Sequence, residues 1–158
     1  MAERRYWLFK SEPTAYSFAD LLNEPDRTAE WDGVRNYQAR NFMRDDMQAG
    51  DGVLFYHSST NPMAVVGTAR VVKRGYPDST AWDHNSDHPD PKSTPDSPIW
   101  YMVDIQAEKP FRRPVTLEEI KANPKLKDMM LARRGMRLSI QPVTPQEWEE
   151  IIAMGEHR

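Results

Sequence analysis

RYWLFKSEP, residues 5–13, decides how the chain begins to fold. Its first six residues are mostly apolar and aromatic, and the run stops at Ser11-Glu12-Pro13. A short apolar run closed by turn-forming residues reads as a buried strand ending in a loop. Working outward, Ser17 is placed to cap a short helix carrying Phe18, Leu21 and Leu22, with Asp20 three residues on and Pro25 ending it. A second helix is expected to start near Asn36, with Ala39, Phe42, Met43 and Met47 at helical spacing and Gly50 as its left-handed terminator. Val53–His57 (VLFYH) and Ala64–Arg74 (AVVGTARVVKR) read as a strand pair joined through Asn61-Pro62. Ile99–Gln106 (IWYMVDIQ) is a further strand, and Arg137–Val143 (RLSIQPV) the last. Between them, Thr116 with Glu119 opens one helix, and Asn123-Pro124 opens another that should close at Gly135. Thr144, Pro145 and Glu147 start a terminal helix with the capping-box arrangement. Short strands mixed irregularly with short helices lack a βαβ rhythm, so the expected class is α+β: a bent, mostly antiparallel barrel or sheet with helices around it.

The 158 residues, 1–158, fit a single domain large enough to bury a core without staples. Cysteine is absent, which excludes disulfide frameworks, thiolate zinc sites and cysteine nucleophiles and agrees with a reducing, cytoplasmic setting. The apolar start is too short for a signal segment, and no apolar run approaches a membrane span, so no membrane partner is expected. A net charge of −3 argues against coating a polyanion, because such binding rests on many cationic contacts. Charge is uneven, however. Residues 112–137 carry eight Lys or Arg against three acids, either a pair of solvated helix faces or a phosphate-facing side. Arg133, Arg134 and Arg137 are the phosphate-facing candidates. Residues 76–98, with five prolines and five aspartates, form a long irregular loop of the kind that is often functional or disordered.

Five tryptophans in so small a domain need sorting. Trp7 and Trp100 lie in apolar strands and Trp148 lies beside Ile151 and Ile152, so packing is the expected role of these three. Trp31 precedes a loop, Asp32-Gly33-Val34-Arg35-Asn36, and on such a loop an indole can offer its face to a planar ligand. Lys10, Ser11 and Glu12 end the first strand, and Tyr56, His57 and Ser58 end another, where polar groups can read the edge of a ring. His57 and Ser58 are adjacent on a strand and point to opposite faces, which speaks against a nucleophile–base pair. His84 and His88, among Asp83, Asp87 and Asp90, have metal-ligand types but generic spacing, and a solvated polar turn is the expected reading. No glycine pattern cradles a phosphate, and neither cofactor nor metal is expected.

YWLFKSEP at 6–13, WDGVRNYQARNFMR at 31–44, FYHS at 55–58, DPKS at 90–93, WYMVDI at 100–105 and RLSIQPVT at 137–144, in that order, resemble the EVE domain. That family has a PUA-like fold and is related to the YTH readers of methylated adenine. The resemblance implies a pocket that holds a flipped, modified base between aromatic rings. It implies non-enzymatic binding, by a monomer, of modified RNA or DNA, single-stranded or with a flipped base, or of a free modified nucleotide. Lys10 and Ser11 match the strand end that reads the base edge, and Trp31 matches a cage tryptophan. Trp82 or Trp100 would supply the second wall, and Val34, Arg35, Asn36, Tyr56, His57, Ser58 and Ser139 match further motif positions. The related ASCH proteins include an amidohydrolase that uses lysine, a hydroxyl residue and a glutamate, so Lys10, Ser11 and Glu12 leave a hydrolase of modified nucleosides as an alternative. A sensor of a free nucleotide-like anion, held by Arg35 and the basic region, is a third reading.

Overall fold

The computed structural model describes residues 4–156. It is an α+β fold built on one open, six-stranded mixed sheet with the order β2-β5-β4-β3-β1-β6. The strands are β1 (Tyr6–Ser11), β2 (Thr28–Glu30), β3 (Gly52–His57), β4 (Ala64–Pro77), β5 (Tyr101–Thr116) and β6 (Ile140–Val143). Only β1 and β3 run parallel, while β1–β6, β3–β4, β4–β5 and β2–β5 are antiparallel. The β4–β5 ladder shifts register four times, as β-bulges do where long strands bend.

Alternation along the central strands fills two cores. Trp7 and Phe9 of β1 and Val53 and Phe55 of β3 join Phe18, Leu21, Met43 and Met47 on one face. Leu8, Leu54 and Tyr56 join Ile120, Leu126, Met129 and Ile151 on the other. The first face is covered by α1 (Phe18–Leu22) and α2 (Tyr37–Asn41), which continues into a wider π turn at Phe42–Asp46. The second is covered by α3 (Leu117–Ala122) and α4 (Pro145–Glu156). The helix starts follow the sequence. Ser17 and Asp20 exchange the two capping bonds at α1, Thr116 and Glu119 do so at α3, and Thr144 and Glu147 do so at α4. Trp7, Trp100 and Trp148 pack as expected: Trp7 and Trp100 are buried, and Trp148 stacks on Tyr6 at 4.5 Å.

Three expectations are corrected. The helix expected from Asn123 to Gly135 is a pair of one-turn 3-10 segments, Pro124–Leu126 and Met130–Ala132, because Leu126, Met129 and Leu131 are pulled inward at a spacing a continuous helix would not give. The last strand is only Ile140–Val143. Gly50 has its positive φ of 97° in a turn beyond the helix rather than at its end, since the chain is already extended at Met47.

Gly75, on β4, passes so near the π turn that an added Cβ would lie 2.3 Å from the Met43 carbonyl oxygen. Gly75→Ala must push backbone against backbone, and a loss of about 1–3 kcal/mol in chemical denaturation is expected.

Candidate functional site

Parallel pairing of β1 with β3 sets Ser11 beside His57, so both strand ends meet at one rim of the sheet. β2 leads directly into Trp31, whose backbone N–H donates to the Val103 carbonyl at 2.8 Å and holds the chain at that rim. Between them opens a cleft of about 900 Å³, lined by Lys10, Ser11 and Glu12, by Trp31 to Arg35, by Tyr16, by Ser139, and by Asp87 and His88 from the long loop. Another depression, of about 600 Å³, lies at the opposite end of β1 around Arg4 and Arg5. The aromatic candidate Trp31 lines the larger one.

Trp31 is half-buried and rests on Phe9 and Phe55, with ring centroids 5.4 and 5.6 Å away, while Tyr16 meets it edge-on at 6.1 Å. The Tyr16 hydroxyl donates to Glu24 Oε2 at 2.9 Å. Burial and this carboxylate push its pKa well above the ordinary phenol value, so it stays protonated. The Lys10 ammonium donates to the Met136 carbonyl at 3.1 Å, and burial lowers its pKa. The Ser11 hydroxyl donates to the Tyr16 carbonyl.

A fully buried carboxylate, Asp78, organises the cleft's other side. It accepts from the Gly33 N–H at 2.8 Å, from Arg35 Nη1 at 3.0 Å, and from the N–H and hydroxyl of Thr80. Burial opposes its ionisation, but the bonds from Thr80, Gly33 and Arg35 outweigh that and hold its pKa below the usual carboxylate range. Arg35 also donates to the His88 carbonyl at 2.7 Å, which ties the long loop to the Gly33 turn. At its far side the loop is held by Trp100 Nε1 donating to Asp90 at 2.6 Å.

The sequence-predicted residues therefore divide. Lys10, Ser11, Glu12, Trp31, Val34, Arg35 and Ser139 share the cleft lining. Asn36 instead caps α2, its side chain accepting from the Ala39 N–H at 3.0 Å. Tyr56 is 2 % exposed and belongs to the second core, and burial pushes its pKa up to about 12. His57 Nε2 accepts from the Phe18 N–H at 3.1 Å, and burial lowers its pKa. Ser58 lies beyond the lining, with its N–H bonded to the Ser11 carbonyl. Neither Trp82 nor Trp100 lines the cleft. Trp100 is 5 % exposed and stacks on Tyr37 at 4.9 Å, because the loop folds back and seats it beneath Arg35.

Tyr16 and the His88 ring, rather than Trp82 or Trp100, stand in the lining with Trp31. His88 is not part of the solvated turn its polar neighbours suggest: it is half-buried and contacts Asp32, Arg35 and Thr80. Its proximity to the DPKS motif was the available signal. Among the described residues, no group of three or more metal-capable side chains gathers. Arg133, Arg134 and Arg137 are exposed and, among the described residues, make no ion pair.

Comparison with known proteins agrees with this architecture. A family model described as EVE domain matches residues 5–154. Thymocyte nuclear protein 1 of Mus musculus is 42 % identical over 168 residues, covering 96 % of this chain and 74 % of that protein. The crystal structure of human THYN1 protein in complex with 5-methylcytosine-containing DNA superposes with a TM-score of 0.90 at 39 % identity, covering 98 % of this chain and 99 % of that one. An ASCH protein from Zymomonas mobilis, at 11 % identity and a TM-score of 0.53 over 96 % of this chain and 99 % of that one, shares the fold alone. No helix of the described residues is long and apolar enough to cross a membrane.

Proposed function

The chain belongs to the EVE domain family, and from that premise we propose that its cleft takes in one modified nucleobase of a nucleic acid and leaves it chemically unchanged. The observation that carries this reading is Trp31, a half-buried indole in the wall of a cleft, rigidly backed by Phe9 and Phe55. Stacking on such a ring stabilises a bound base by about 1–3 kcal/mol. The relative crystallised with 5-methylcytosine-containing DNA supports modified DNA as the partner, and an RNA carrying the same base face would fit the same chemistry. The protein acts as a monomer in the cell interior, without a cofactor.

Electrostatics favours a polymer over a free nucleotide. Glu12, Glu24, Glu30, Asp32 and Asp87 line the cleft against Lys10 and Arg35, and Arg35 is already paired with Asp78. A phosphate inside would meet this excess of carboxylates, so the base enters and its phosphates stay outside, near Arg133, Arg134 and Arg137. Extruding a base from a duplex costs a few kcal/mol, which favours single strands or unstacked positions. The hydrolase alternative is weaker. Ser11 gives its proton to a carbonyl and Lys10 gives one to another, which leaves no activated hydroxyl, although the lowered Lys10 pKa is the feature that would serve such chemistry.

The test is binding of a single-stranded oligonucleotide with one 5-methylcytosine, measured against its cytosine counterpart at several salt concentrations. Tighter binding of the methylated strand, with recovered strand unchanged by mass spectrometry, is expected. No binding of either strand would end the proposal. Replacing Arg133, Arg134 and Arg137 together by Gln is expected to weaken both strands alike and to reduce the salt slope by about 1 for each lost phosphate contact.

A further inference from the structure

We propose that Asp32 and His88 together read the exocyclic amino group of the bound base, so that the cleft accepts amino-bearing bases and rejects their deaminated, keto counterparts. The inference rests on the base-binding reading above and specifies its substrate class.

The argument follows the hydrogens. Thr80 donates its only hydroxyl proton to the Asp78 carboxylate, a closer partner than His88. Thr80 Oγ1 therefore offers a lone pair to His88 Nδ1, 3.1 Å away, and Nδ1 carries the ring proton. Arg35 Nη2 lies 3.3 Å from the same nitrogen, but its short bond, 2.7 Å, goes to the His88 carbonyl. In the neutral ring this leaves Nε2 as an acceptor. Nε2 faces Asp32 Oδ1 at 3.6 Å, beyond hydrogen-bond range. Asp32 and His88 side chains are 39 % and 31 % exposed, and both line the cleft. The Asp32 carboxylate is met by its own backbone N–H, which occupies only part of its acceptor capacity.

Two acceptors held side by side, the imidazole nitrogen and a carboxylate with lone pairs to spare, match a group with two hydrogens. An –NH₂ can give one to each. The pair is also held in place. Gly33 has φ +79°, and a Cβ there would lie 2.7 Å from His88 Cδ2 and Nε2, so the imidazole rests directly on the glycine backbone. A keto oxygen at the same position would oppose both acceptors and leave them unpaired, which is the situation that gives polar sites their strongest discrimination.

Single-stranded oligonucleotides differing only by 5-methylcytosine or thymine at one position carry a 4-amino or a 4-keto group on the same methylated ring. The protein is expected to bind the 5-methylcytosine strand at least about 10-fold more tightly, a reduced ratio because both side chains are partly solvated. Asp32→Asn replaces a pure acceptor with an amide that can donate, and it should collapse or invert that ratio. His88→Leu removes the second acceptor and should likewise reduce that ratio. Equal wild-type affinity for the two strands would overturn the inference and leave base binding standing, as would an Asp32→Asn variant that keeps the full preference. Absence of binding to both strands would remove the underlying reading and this inference with it.

Discussion

Asp78→Ala is expected to cost about 3–5 kcal/mol of stability, measured as a lower midpoint in urea. The carboxylate is fully buried and satisfies Gly33, Thr80 and Arg35 at once, so its removal strands a mostly buried guanidinium and two N–H groups. Asp78→Asn, which keeps the volume and one acceptor, should cost less. The same residue predicts a pH response. Its folded-state pKa is depressed, so its stabilisation is complete above the ordinary carboxylate pKa and is lost as pH falls through the depressed value. The wild type should therefore show an acid loss of stability that Asp78→Asn lacks. Equal stability of the alanine variant would mean that the Gly33 turn and the 83–100 loop hold each other by other contacts.

Trp31→Ala is expected to weaken binding of a modified-base oligonucleotide by about 10- to 100-fold, the loss of one stacking partner worth about 1–3 kcal/mol. Because the indole also rests on Phe9, Phe55 and Tyr16, the alanine variant loses packing as well, and its fold must be checked by circular dichroism before affinity is compared. Trp31→Phe separates the two effects. A smaller ring keeps much of the packing and part of the stack, so its affinity should fall between those of wild type and alanine. Unchanged affinity in a folded Trp31→Ala variant would take the indole out of the site.

Much of this was legible in local signals. The apolar run at 5–10 and the boxes at Ser17/Asp20, Thr116/Glu119 and Thr144/Glu147 identify β1, α1, α3 and α4 because they are short-range chemistry. Strand β5 runs ten residues beyond the expected Gln106, through Pro110 and Pro114, and only the long partner β4 makes that segment a strand. β2 has three residues and no pattern of its own, so it exists by pairing with β5. In the cleft, the β1 end and Trp31 were readable from motif and position. Tyr16 was not, because a turn brings it to the lining, and His88, carried there by a distant loop, was signalled only by the neighbouring DPKS motif. Trp100 is absent from the cleft wall for the same reason: Asp90 and Tyr37, which hold it, are tertiary partners.

The place of β1 between β3 and β6 has a consequence for biosynthesis. Phe9 sits opposite both Phe55 and Ile140, so β1 needs a flank translated some 130 residues after it. Such long-range closure slows folding. A nascent chain halted before Ile140 would carry β1 with one side unpaired, an open template for aggregation that only the arrival of β6 removes.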